Sequence, residues 1–572
     1  MNRSFAATAA LCAVALLALP GCSRRAAPHD HDASGDMAAA HGMPTTTAEW
    51  ARGAQFFDGL GNFHRAISTS SPEAQKYFDQ GMRLLWAFNH DESTRSFARA
   101  AELDPACAMC LWGVALTVGP NYNLPMMAQQ RATLAHGTTL QAAGLSAQHA
   151  TPVEIALINA LKVRYPSPAA LDPSTTGPVL QEYADAMRDV ARRFPADDDV
   201  QVMFAEALMN THAWKLWSPE GAAAPGTDEV VAALEAVLKR NAQHPGANHY
   251  YVHALEASPH PERAVAAAER LHGLMPAAGH LEHMPAHIMQ RVGRYSDSAE
   301  ANRIGVAADR AYLAQTKPLD YYPMYFAHNY DFLAYATAMQ GRRAETLSAV
   351  KSARDVRTDE MLLSMPGADW NAAMPYLARV RFGDWDGLLA EPRPNPALKM
   401  LTGGYLFATT IALVERHRNQ EADARFAELQ QVRASLPPDA TAGLNRASDV
   451  LDVAIAVAAA RIAGGRGDRD GAISGLMRAV ALEDKLSYDE PADWFFPVRH
   501  LLGAALLDAG QAAKAELVYR DDLKRNPNNG WSLFGLAAAL RAERKTVEAA
   551  TTDGQFRGAW KEADFQPTSS AM

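Results

Sequence analysis

The sequence predicts an all-α fold, a right-handed solenoid of antiparallel helix pairs. Three observations carry that prediction. The body is rich in Ala, Leu, Arg and Glu, 48% of the 572 residues are hydrophobic, and no sustained alternating apolar pattern marks a strand. Turn signals carrying Pro or Gly separate the helical stretches. One set of residue offsets also returns at distant points of the chain.

Arg3, the apolar run from Phe5 to Leu19 and the ending Leu19-Pro20-Gly21-Cys22 read as a secretory signal over residues 1–21. Its hydrophobic run is too short for a stable transmembrane helix. The Leu-x-Gly-Cys ending resembles the bacterial lipoprotein signal. The resemblance implies cleavage before Cys22, lipidation of that cysteine and, because Ser23 rather than Asp follows, an outer-membrane anchor facing the periplasm. Residues 22–48 are small and polar and are expected to form a flexible tether. Its His29, His31, His41, Met37 and Met43 suit loose copper capture, and equally an ordinary solvated linker.

Of the four cysteines, Cys12 leaves with the signal and Cys22 is acylated, which leaves Cys107 and Cys110. Outside the cytoplasm this spacing fits a structural disulfide first, then a redox couple or half of a metal site. Position 111 is Leu, so covalent c-type haem attachment is unsupported.

Residues 49–572 are expected to be the solenoid. From Gly81 the offsets run to Ser93, Phe97, Ala100 and Pro105; from Gly503 they run to Ala515, Tyr519, Asp522 and Pro527. A weaker copy, Val252, Ala264, Ala268, Leu271 and Pro276, lacks the glycine. Further pairs are expected at roughly 324–340 with 343–356, 403–416 with 419–435, and 446–462 with 470–483, the last broken at Gly464-Gly465. A single helix is expected at about 200–210. At about 35 to 45 residues per unit there is room for roughly ten to twelve pairs.

These offsets are those of the tetratricopeptide repeat, and the chain resembles exported bacterial proteins of that kind. The resemblance implies that the first helices of successive pairs line a concave groove holding a protein or peptide. Tyr250, Tyr321, Tyr325 and Asn329 are candidate residues of such a groove. The scaffold itself is shared by proteins with unrelated partners.

Eight of the 19 histidines fall within residues 244–287. If that stretch is helical, His249, His253 and Glu256 share one face, and His280, His283 and His287 share another. Pro285 is expected to kink the second helix. Imidazole and carboxylate at such spacing can ligate copper or zinc, and the candidate set is His249, His253, Glu256, His283, His287 and His328. The competing reading makes these residues hydrogen-bonded polar groups between packed helices.

Enzyme chemistry finds little direct support. His249-Tyr-Tyr-Val-His253 and His283-Met-Pro-Ala-His287 have the two-histidine spacing of a zinc protease, but Tyr250 and Met284 stand where its general-base Glu belongs. No phosphate-binding glycine loop or nucleophile elbow occurs. A formal charge of −10 supplies no basic stripe, so nucleic acid is not an expected partner. An aromatic segment with Tyr488, Trp494, Phe495, Phe496 and Arg499 reads as the seal of a helix-pair junction, with a binding surface as the alternative.

The leading functional expectation is therefore a lipid-anchored scaffold for a protein or peptide. A copper- or zinc-binding protein is the alternative, and a metal-dependent enzyme ranks behind both.

Overall fold

The computed structural model describes residues 43–171, 176–318, 321–365 and 367–571. The expected signal, Cys22 and most of the tether, including His29, His31, Met37 and His41, lie outside these residues. The unit from Pro44 to Met572 is helical throughout its length, and the strands among the described residues are the two-residue pair Thr441–Ala442 and Asn445–Arg446. No helix of the described residues is long and apolar enough to cross a membrane.

Consecutive helices pair across short turns, beginning with Pro72–Trp86 against His90–Leu103 and ending with Gly530–Ala542 against Thr546–Ala559. The repeat offsets have a packing cause. Phe97 is fully buried, and a Cβ on Gly81 or on Gly113 would lie 2.6 Å or 2.4 Å from its ring. Phe97 on the second helix is thus wedged between its own first helix and the next one, at positions where only glycine leaves space. Tyr519 repeats the arrangement against Gly503 and Gly535. Burying one such ring contributes roughly 1.5–3 kcal/mol, and the same wedge recurring along the chain stacks the pairs.

Two segments depart from the simple array, and both concern the middle of the chain. Near the start, Ala277 donates its amide to the Gly59 carbonyl at 3.0 Å, and His90 donates its amide to the Tyr321 hydroxyl at 3.0 Å. Near the end, Trp531 donates its indole N–H to the Ala338 carbonyl at 2.8 Å, and Arg342 pairs with Glu562 at 2.7 Å. The helices between residues 245 and 340 are therefore covered by repeats from both ends of the unit.

Cys107 and Cys110 are joined by a disulfide at the start of the helix Ala108–Thr117. Trp494, Phe495 and Phe496 are buried, and Arg499 pairs with Asp484 at 2.8 Å. The segment seals a junction between helix pairs.

Candidate metal centre

The helix Pro245–Leu255 carries the first histidines. Pro245 occupies its first turn, and His244 caps it by accepting the Ala247 amide at 3.1 Å while its other nitrogen faces Asp199 at 3.0 Å. His244 is thus spent on structure. His260 and His272 pair with Glu262 and Glu282 near the surface. The remaining five histidines of the 244–287 stretch converge.

Met284 separates the helix Gly279–His283 from Pro285–Arg291, which places the break at the proline as expected. Gly279 begins the first of these because a Cβ there would lie 1.9 Å from the Asp309 carboxylate. That carboxyl accepts from Tyr322 and Asn329, each at 2.7 Å, and burial pushes it up to about 7. The close approach sets the histidines of residues 280–287 against their partners on neighbouring helices.

Among the described residues, three groups bring ligand atoms within 4.8 Å of one another: His249, His253 and His280; His283, His287 and His328; and Glu256, His287 and Glu490. The sequence led to a single site in which His249 and His253 face His283 and His287. The structure instead forms two adjacent triads, because successive ligands along residues 280–287 are a turn apart and meet different helices. His280 meets the helix Pro245–Leu255, whereas His283 and His287 meet His328 on the helix Tyr322–Met339.

Hydrogen bonds decide which nitrogens face inward. His249 gives its Nδ1 hydrogen to the Trp86 carbonyl at 2.6 Å. The Nδ1 of His253 lies 3.0 Å from Glu256 Oε1, leaving its buried Nε2 without a protein partner. The amide of Asn302 donates to the Ser298 carbonyl at 2.7 Å, which turns its Oδ1 toward His283 Nδ1 at 2.6 Å. Asn302 can only accept there, so His283 carries its hydrogen on Nδ1. The Nδ1 of His287 lies 2.8 Å from Glu256 Oε2, without hydrogen-bond alignment, and also touches Glu490.

His283 and His287 bring their Nε2 atoms to 2.7 Å, and His249 and His280 bring theirs to 3.1 Å. With their Nδ1 hydrogens committed elsewhere, His249 and His283 present bare Nε2 acceptors, whereas the Nδ1 atoms of His280 and His287 have no aligned partner. Such a pair is held either by the second neutral ring donating its Nε2 hydrogen or by a cation between the two nitrogens. An added proton as that cation is disfavoured, because burial depresses His283 to about 4 and holds His249, His280 and His287 well below the ordinary imidazole value, with neighbouring histidines adding to the effect. Burial lowers His253 to about 3. Neutral imidazoles in this array are prepared for a metal ion.

Aromatic rings wall the triads. Phe88 lies 4.5 Å from His249 and stacks on His253 and His280 at 5.7 and 5.6 Å, and Phe332 lies 4.5–4.9 Å from His283, His287 and His328. His328 is half-buried and the other five are buried. Burial drives Glu256 and Glu490 well up, and their proximity adds to the rise at Glu490. A cavity of about 350 Å³, walled largely by apolar side chains such as Leu60, Leu84 and Tyr312, reaches His280.

Glu256 contacts histidine Nδ1 atoms, outside the two triads of nitrogen ligands. The expected groove residues are placed differently from an open binding face. Tyr250 is 1% exposed against Trp86 and Phe88, Asn329 is fully buried on Asp309, and Tyr321 turns its hydroxyl to the Phe88 and His90 backbone. Tyr325, half-buried, lies 4.9 Å from His280. These side chains furnish the shell of the histidine centre, because repeats from both ends of the unit cover this region.

Two participants were not in the candidate set. His280 shares the spacing of its neighbours and was legible in the stretch. Glu490 was not, since it arrives from the aromatic segment 203 positions beyond His287 with no local pattern to mark it.

The chain is an all-α protein of successive helix pairs with a buried histidine cluster. No family model matches it, and no curated protein matches it. Among solved structures, the human IFIT1 dimer with m7Gppp-AAAA is similar over 86% of this chain and 96% of that one, at 12% identity and a TM-score of 0.33. The APC/C hetero-tetramer Cut9-Hcn1 is similar over 84% of this chain and 79% of that one, at 13% identity and a TM-score of 0.31. Likeness at this level carries nothing about the histidine site.

Proposed function

We propose that this chain is a metalloprotein whose helical repeats build a buried shell around two tri-histidine sites. The single observation that carries the reading is the convergence of six histidines into two groups whose ring nitrogens lie within 4.8 Å of one another. The donors are neutral imidazole nitrogens, which suit copper or zinc; by the general affinity order copper(II) binds most tightly. Opening each close pair to about 3.3 Å would give the spacing of a tetrahedral site with nitrogen ligands roughly 2.0–2.1 Å from the ion.

Three protein ligands leave a coordination position for an exogenous ligand, the arrangement of reactive rather than structural sites. Of the candidate residues of the protein-binding reading, Tyr250, Tyr321 and Asn329 are buried and Tyr325 is half-buried. Export and a lipid anchor at Cys22 remain part of the proposal on the strength of Leu19-Pro20-Gly21-Cys22. The deciding experiment is elemental analysis of protein purified without a histidine tag, alongside the His253→Ala/His287→Ala double variant. Stoichiometric copper or zinc in the wild type, lost in the variant with helicity retained, supports the reading. A wild type that neither contains nor takes up either metal overturns it.

A further inference from the structure

We infer that the two triads operate as one dinuclear centre that binds a small bridging ligand, a hydroxide or another compact oxygen- or nitrogen-donor, between two metal ions. The inference rests on the metalloprotein reading above.

The first support is the interleaving of the ligands. His280 belongs to one triad and His283 to the other, yet they stand three positions apart, where helical side chains start about 5–6 Å from each other. Their rings are 5.9 Å apart, and the rings of His253 and His287, again one from each triad, are 5.8 Å apart. Ions held by these rings are placed within the span of one small ligand; established two-metal sites hold their ions about 3.5–4 Å apart.

The second support is a shared outer carboxylate. Glu256 hydrogen-bonds His253 through Oε1 and brings Oε2 to 2.8 Å from His287 Nδ1, so a single side chain touches a ligand of each triad. The two sites are joined through that residue as well as through the backbone of residues 280–287.

The third support is charge. The ligand atoms of the two triads are imidazole nitrogens, which carry no negative charge, and the carboxyls lying against the outer side of His253 and His287 are those of Glu256 and Glu490. Two divalent ions therefore bring more positive charge than these side chains offset. In a region walled by Phe88 and Phe332, that excess favours an anion at the remaining coordination positions. One anion bridging both ions meets the need of both.

The test uses the full chain, stripped with a chelator, with copper(II) as the probe ion and azide as the probe bridge. Copper is added at one and then two equivalents, and spins are counted by electron paramagnetic resonance. The expected result is two copper ions per chain, a spin count at two equivalents below half that of two isolated ions, and uptake of one azide per copper pair with a new charge-transfer band. Two fully intense, independent copper signals, or one azide per copper, overturn the dinuclear centre while leaving the metalloprotein reading intact. Saturation at a single ion per chain also overturns it. Failure to bind copper or zinc removes the underlying reading instead. The variant His328→Ala, chosen because that ring is half-buried at the edge of the cluster, should retain one copper with a full single-ion signal. If it keeps the spin-silent pair, the assignment of His328 to the second ion is wrong and the dinuclear arrangement drawn here falls with it.

Discussion

Asn302 holds His283 in a single tautomer: its Oδ1 accepts the Nδ1 hydrogen across 2.6 Å, and its own N–H is committed to the Ser298 carbonyl. Replacing it with Leu removes the acceptor from a fully buried position and frees the ring to turn. Metal affinity of Asn302→Leu should fall about 10- to 100-fold, measured by competition with a calibrated chelator. Asn302→Asp keeps an acceptor and should retain most of the affinity. Equal affinities in all three proteins would show that the tautomer is set by something else.

Acid should draw protons onto the unfolded chain's histidines and so weaken the metal-free protein through them, against the opposite contribution of buried carboxyls such as Asp309, which burial raises to about 7. The folded values of His90 and His253 are about 3 and that of His283 about 4, each lowered first by burial, against about 6.5 for an unfolded histidine. The unfolded chain therefore binds more protons between these limits. Stability from these groups is fully present above pH 6.5 and declines as pH falls toward 3, each group contributing a slope of about 1.4 kcal/mol per pH unit within its window. Urea midpoints from pH 8 to 5 should hold steady and then drop below 6.5. The part due to one ring is isolated by His253→Gln, which should lessen the loss between pH 6.5 and 5; a pH profile of the midpoint unchanged by the substitution contradicts neutral burial of that ring.

The wedge of Phe97 between Gly81 and Gly113 gives paired substitutions of opposite kind. Phe97→Ala empties the wedge and should cost about 3–5 kcal/mol. Gly113→Ala inserts a methyl where the ring already lies and should cost about 1–3 kcal/mol. Chemical unfolding followed by helical circular dichroism measures both. Losses below about 0.5 kcal/mol in either would mean that the repeat contact is loose.

The anchor proposed at Cys22 predicts a change of location rather than of fold. Cys22→Ala should move the protein from the membrane fraction into the soluble periplasmic fraction, with unchanged helicity. If the variant remains with the membrane, lipidation is not what holds it there.

Helices were legible wherever the caps and apolar spacing were strong. The span expected at 343–356 is the helix Arg343–Val356, and that expected at 324–340 is Tyr322–Met339. Gly464-Gly465 was expected to separate the spans 446–462 and 470–483, and the helix Ala447–Gly465 ends at that pair before Arg469–Glu483 begins. Gly465 also answers a close approach, since a Cβ there would lie 2.7 Å from Val414. In the centre, helical spacing marked His249, His253, His283 and His287 because their geometry is local. Their division into two triads was hidden, since it depends on which neighbouring helix each ring meets. Glu490 and the burial of Tyr250 and Asn329 were hidden for a related reason. No pattern of nearby residues encodes how repeats from both ends cover the middle.

The contact between His287 and Glu490 sets an order of events for the cell. At about 5–20 residues per second, the ribosome needs roughly 10–40 s to travel the 203 residues from one to the other. Throughout that interval the histidines exist without the carboxyl that helps seat them, and a chain crossing a membrane in extended form has no cluster at all. Metal acquired early would meet an unfinished, adaptable set of ligands. The completed chain presents a defined set only after its distant segment has docked, so on the proposed metalloprotein reading the compartment in which folding finishes, rather than the one in which synthesis begins, would choose the ion.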